Sequence, residues 1–146
     1  LDRHGQLGEL LAAGTTWLSE RGQLNQVIIG VGASGRAALA FAAGNTPEAL
    51  QALVLVSTPI AAGSKASEQL DEITMPILDL YAERDRRDVL DAAASKRQAA
   101  SENQSFAQRV VSGTDDRFRG TGAAVTATIR AWLAVNADGS ELKSPP

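Results

Sequence analysis

The stretch Val27-Ile28-Ile29-Gly30-Val31-Gly32-Ala33-Ser34-Gly35 decides how this chain is read. Its first three residues form a short, unbroken apolar run, typical of a strand buried on both faces. Glycines at 30, 32 and 35 then make a tight turn, and the small-residue segment Arg36 to Ala43 reads as a helix stopped by Gly44-Asn45. One reading of this strand–turn–helix is the dinucleotide fingerprint G-x-G-x-x-G. In it Gly30, Gly32 and Gly35 would let the backbone approach a pyrophosphate resting on the helix N-terminus. That reading requires an acid at the end of the next strand to hold the ribose. The next strand, Ala52 to Val56, ends in Ser57-Thr58-Pro59, with neither an acid nor an arginine for a 2′-phosphate.

Outward from this turn the chain keeps alternating. Residues 6–21 carry Leu7, Leu10, Leu11, Gly14, Trp17 and Leu18 at helical spacing, with Gly22 placed to end the helix. Beyond the second strand come a short helix over 66–72, a third strand over 76–81 and an alanine-rich helix over 87–101. A fourth strand over 106–111 and a last helix over 121–134 follow. Proline 76 is tolerated at the first position of its strand, where no ladder donor is needed. Four buried strands alternating with helices predict an α/β fold with a parallel sheet and flanking helices. Ligands of such sheets bind beyond the carboxyl ends of the strands, so function is expected in loops 30–35, 82–87 and 112–120. One domain is expected over 1–135, with a disordered tail over 136–146.

A second reading of the turn is a nucleophile elbow, written G-x-S-x-G. Aligned on Gly30, the chain gives Gly30-Val31-Gly32-Ala33-Ser34, so the apex that should carry the attacking hydroxyl is Gly32. Met75-Pro76-Ile77-Leu78-Asp79-Leu80-Tyr81-Ala82-Glu83-Arg84-Asp85 resembles the α/β-hydrolase strand whose following loop bears the triad acid, and Asp85 matches that position. Arg109 to Phe118 resembles the strand and loop that hold the catalytic histidine, but the matching position is Asp116, or Asp115 after a slip of one. Ile129-Arg130-Ala131-Trp132-Leu133 resembles the closing helix of that superfamily. Within it, the chain is similar to a poorly characterised bacterial family of unknown function. The resemblance covers residues 6–134 and implies the C-terminal half of an α/β-hydrolase-like fold. It also implies that antiparallel and early parallel strands, with half of an oxyanion hole, are missing ahead of Leu1. With no initiator methionine, the chain reads as a processed or truncated product.

The resemblance makes Ser34, Asp85 and Asp116 the candidates of a degenerate triad. Ser34 lacks a base, because the only histidine, His4, precedes the first helix. The plainer expectation is that Ser34 caps the helix, accepting from a free backbone N–H. Asp85 is expected as a surface charge pairing with Arg84, Arg86 or Arg87. Glu83, Asp85, Asp115 and Asp116 could in principle gather round a hard cation, but paired loop acids are usually just solvated, so no metal is assigned. Trp17 and Trp132 are expected in the core.

Composition narrows the rest. The 146 residues suffice for one domain with a sizeable core. A net charge of −3, with Arg84, Arg86 and Arg87 interrupted by Asp85 and followed by Asp88, gives no clustered cations for nucleic acid. No apolar run approaches the length of a membrane span. Without cysteine there is no disulfide or thiol nucleophile, and the compartment stays open between cytoplasm and bacterial envelope. The expected function is a catalytically inactive hydrolase scaffold that binds another protein chain or its own missing N-terminal half, without a cofactor. The alternatives are a serine esterase or amidase using Ser34 with non-standard partners, and a dinucleotide module using Gly30, Gly32 and Gly35.

Overall fold

The computed structural model describes residues 3–44 and 46–137. In chain order these form α1 (Arg3–Ser19), β1 (Gln26–Val31), α2 (Ser34–Gly44), β2 (Leu50–Val56), α3 (Lys65–Glu72), β3 (Ile77–Arg84), α4 (Arg87–Ala99), β4 (Phe106–Asp115) and α5 (Gly122–Asn136). The strands form one parallel sheet in the order β1-β2-β3-β4. Asn136 closes α5; the tail expected from there lies, from residue 138 onward, outside the described residues.

Burial on both faces follows from the period of two along each strand. Leu53 and Leu55 of β2 join Ile28 of β1, Leu39 and Phe41 of α2 and Leu70 of α3 in one core. Ala52, Val54 and Val56 point the other way, joining Leu78 and Leu80 of β3, Val111 of β4 and Trp132 of α5. Alanines 37, 38 and 42 let α2 lie close on the sheet. Helices α1 to α4 thus line one face, while among the described helices α5 alone covers the other.

That cover is uneven. Val27 still packs against the α5 core, but Ile29 and Val31 on the same face of β1 are 51% and 58% exposed. Among the described residues, β1 pairs only with β2, so its outer edge is bare. Trp17 does not join the core as expected. It is 53% exposed, and the Arg21 guanidinium stacks 3.6 Å from its ring centre. The apolar arc of α1 is wider than its contact with α2, and Trp17 falls on the uncovered part. Trp132 is buried as expected.

Strand β4 runs four residues past its expected end, to Asp115. Its ladder with β3 slips between Ala82 and Arg84, and Gly113 adopts a positive φ of 73°. The Glu83 carboxylate accepts from the Gly113 N–H at 2.7 Å, and the Arg84 guanidinium donates to the Gly113 carbonyl at 3.1 Å. A bulge held from both sides therefore prolongs pairing toward the carboxyl end of the sheet.

One strand residue breaks the apolar pattern. Asp79, in the middle of β3, is fully buried beneath α4 and pairs with the equally buried Lys96 ammonium at 2.8 Å. Gln108 of β4 donates to the second Asp79 oxygen at 2.8 Å, and Lys96 also donates to the Thr58 carbonyl at 3.2 Å. Removing one member of a buried pair strands the other charge, so Asp79→Ala should cost about 3–5 kcal/mol in urea unfolding. A loss below about 1 kcal/mol, the range of exposed pairs, would contradict the buried geometry.

Candidate functional site

The turn after β1 is built by close backbone approach. A Cβ placed on Gly30 would lie 2.5 Å from the Gly35 Cα, and one placed on Gly35 would lie 2.0 Å from Thr58 Oγ1. Both positions therefore require glycine for space. Gly32 differs: its φ is +59°, and nothing stands within 4 Å of where its Cβ would be. Its N–H donates to the Val56 carbonyl at 2.8 Å, which ties the apex to the end of β2. The apex is thus sharp, open and without a side chain.

Ser34 sits one step further on, at the start of α2, and is exposed. Its hydroxyl donates to the Val31 carbonyl at 2.7 Å and accepts from the Val31 N–H at 3.0 Å. This corrects the expected helix cap: the acceptor serves the last residue of β1, because the turn folds the hydroxyl back over the strand. Among the described residues no base contacts it. His4, in the first turn of α1, belongs to a different element from any of the three loops.

Asp85 is not the surface charge expected from its arginine neighbours. It is 6% exposed, and one oxygen accepts from Ser57 Oγ at 2.5 Å and from the Ala82 N–H at 2.9 Å. The other accepts from the Arg86 N–H at 2.8 Å. Three donors hold the carboxylate under the end of β3, whereas the Arg86 and Arg87 side chains reach Asp88 and Asp91 instead. Ser57 adopts a positive φ of 48°, unusual for a residue with a side chain, and that twist aims its hydroxyl at Asp85. Phe118, in the turn after β4, has a φ of 50°. Strained residues of this kind concentrate at sites whose surroundings over-determine them.

Asp115 ends β4 and accepts from the Arg117 N–H at 3.0 Å, closing the turn that carries Asp116. The cation cluster weighed above does not assemble. Glu83 turns to Gly113, Asp85 to Ser57 and Asp115 to Arg117, and among the described residues no three acidic or histidine side chains converge. β2 also ends without a carboxylate of its own, as the sequence indicated against the dinucleotide reading. A cavity of about 610 Å³, lined by Thr15, Ser19, Phe41, Thr46 and Pro47 among others, lies at the far end of α2 from the elbow. It shares no residue with the three loops.

Sequence reasoning missed Ser57, Thr58, Lys96 and Gln108. One signal was available: a carboxylate inside Ile77-Leu78-Asp79-Leu80 must find a buried partner.

An elbow with a left-handed apex after one strand and a buried acid after the strand two places along define an α/β-hydrolase-type domain. Solved structures agree on the fold. The chain is similar to an alpha-beta serine hydrolase homologue from Coxiella burnetii (16% identity, TM-score 0.75, 91% of this chain and 61% of that one). It is also similar to the esterase domain of a Rhodothermus marinus protein (19% identity, TM-score 0.71, 86% and 68%). A third likeness is to a predicted CIB-like hydrolase from Thermoplasma acidophilum (13% identity, TM-score 0.69, 90% and 60%). The chain therefore spans 60–68% of the length of these three structures. No curated protein matches it. The chain belongs to the family described as a protein of unknown function, DUF3530, which matches residues 3–134.

Gly32 and Gly35 predict separable effects. Gly32→Ala should cost about 1–2 kcal/mol, the penalty of a left-handed residue with open space above it. Gly35→Ala should cost about 3 kcal/mol through overpacking, and much of that loss should vanish in a Thr58→Ala background. Urea unfolding of the four variants checks this, and a Gly35→Ala cost that Thr58→Ala leaves untouched would contradict the proposed contact.

Proposed function

We propose that this domain is a hydrolase-type scaffold that works by binding and not by covalent catalysis. The observation carrying this reading is the apex of the elbow, where Gly32 places no side chain on the position from which attack would come. Two further features support it. The acid Asp85 is buried and already engaged by Ser57 and two backbone N–H groups, so a base would have to compete with these donors for it. Asp115 and Asp116 occupy the loop where the resemblance would place a histidine. A covalent route needs a nucleophile, a base and an orienting group in mutual reach, and only the last has a counterpart here.

The binding surface in this reading includes the bare edge of β1. Its six residues, Gln26 to Val31, carry no charge, and Ile29 and Val31 present apolar area beside unpaired backbone groups. Such an edge favours the addition of a further strand, from elsewhere in the same polypeptide or from a second chain. The length of the similar solved structures, each longer than this chain, supports the first source.

Two measurements test the proposal. A fluorophosphonate probe should leave the chain unlabelled, and short p-nitrophenyl esters should be turned over no faster than in buffer. Covalent labelling of Ser34 that disappears in Ser34→Ala would instead establish the serine esterase reading. For the surface, this 146-residue chain should self-associate in size-exclusion chromatography. Ile29→Lys, which places a charge beside the edge, should shift it toward monomer. A parent chain that already elutes as a monomer argues against an open strand edge.

A further inference from the structure

We infer that Lys96 is a positioning residue: its buried ammonium holds the exit of β2, Ser57-Thr58, in the conformation that shapes both the elbow and the acid turn. The inference rests on the reading that the carboxyl end of the sheet is the working face, and it names what keeps that face in order.

The contacts form one continuous path. Lys96 Nζ, from α4, lies 2.8 Å from Asp79 Oδ1 and donates to the Thr58 carbonyl at 3.2 Å. Thr58 in turn walls the elbow, since its side chain occupies the space that any side chain on Gly35 would take, and Gly35 fills the same role toward Gly30. Ser57, immediately before Thr58, is bent to positive φ and donates to Asp85 at 2.5 Å. One dipeptide therefore buttresses the elbow on one side and secures the acid on the other. Among the described residues, its only bond to a side-chain cation is the one from Lys96.

Stability alone is a poor reason for this arrangement. Taking two charges out of water costs about as much as their attraction returns, and well-packed apolar replacements of such pairs are often neutral or stabilising. What an ammonium supplies that an apolar side chain cannot is a directed donor for a carbonyl buried at a strand exit. Thr58 is fully buried, and water does not compete for that carbonyl. Asp79 and Gln108 complete the setting. The Gln108 amide donates both to Asp79 and to the Ala93 carbonyl of α4, which fixes the carboxylate beneath the helix that carries Lys96. The Lys96 ammonium also lies 5.5 Å from the centre of the Tyr81 ring, which limits its alternative positions.

The test separates a local role from a general one. In the double variant Asp79→Leu/Lys96→Met no charge is left unpaired, and Gln108 keeps its bond to Ala93. Amide exchange is then read at two groups of sites. The Gly32 and Ser57 amides, bonded to the Val56 and Leu80 carbonyls, report on the elbow and the β2 exit. The Leu53 and Ile77 amides, bonded to the Pro76 and Ser105 carbonyls, report on the opposite end of the sheet. Local loosening should speed exchange at Gly32 and Ser57 by about tenfold or more and leave Leu53 and Ile77 unchanged. Equal change at all four, no change at any, or a variant that does not fold would each overturn the inference, because each assigns the pair to the fold as a whole or to nothing. In the unaltered chain, nitrogen-15 NMR of the lysine side chains should show a slowly exchanging Lys96 ammonium close to Thr58, and its absence would also overturn the inference. None of these readings depends on ester turnover, so a catalytically active chain could still bear out the positioning role, and an inert one could still refute it.

Discussion

A charged pair in the middle of an apolar sheet sets the terms for everything around it. Asp79 and Lys96 have no access to water, so each must be satisfied by groups whose positions are fixed. The elements that supply those groups are the ones that frame the carboxyl end of the sheet: β3 holds the carboxylate, α4 the ammonium, β4 the Gln108 amide and the exit of β2 the Thr58 carbonyl. A purely apolar core would tolerate small shifts of these elements against one another, whereas a closed set of directed bonds does not.

From that anchor the elbow follows with little freedom. Thr58 meets Gly35, Gly35 meets Gly30, and the path leaves room for no side chain at either glycine. The sharp turn survives because it is a matter of packing, independent of whether its apex bears a reactive group. Gly32 takes a left-handed φ that a serine could adopt only with strain, and as glycine it adopts it freely. The strain at this end has not vanished, however. It resides in Ser57, whose hydroxyl occupies the acid in the absence of a histidine on the loop after β4. Ser57, which shares a positive φ with Phe118, is thus a partner of the acid.

Much of the architecture was legible because it is written in periodicity. The apolar runs around Ile28, Val54 and Leu78 have only one economical arrangement, a parallel sheet covered by the helices between them. The glycine turn was legible too, since three glycines between a strand and a small-residue helix have few other uses. What the sequence concealed were properties that depend on three-dimensional neighbours. Asp85 stands among four charged residues in Glu83-Arg84-Asp85-Arg86-Arg87 and looks solvated, yet the chain turns it inward onto the Ala82 and Arg86 N–H groups. Trp17 fits the apolar stripe of α1, yet among the described residues it is 53% exposed. Ser34 has the right type for a cap, but the tightness of the turn returns its hydroxyl to Val31. In each case local pattern fixed the element and tertiary context fixed the side chain.

The two edges of the sheet carry the last step of the argument. β4, at one edge, has Gln108 tied into the buried network and Arg109 exposed in its middle, and charge along an edge discourages pairing with another chain. β1, at the other, has six uncharged residues, no proline and two exposed β-branched side chains on the face that α5 leaves open. β4 exposes an apolar residue too, Val110, but beside the charge of Arg109, whereas the β1 edge carries no charge. That edge also links the two halves of the functional reading, since β1 ends at Val31 and leads directly into the elbow. A strand added along β1, were one present, would reach the carboxyl end of the sheet beside Gly32.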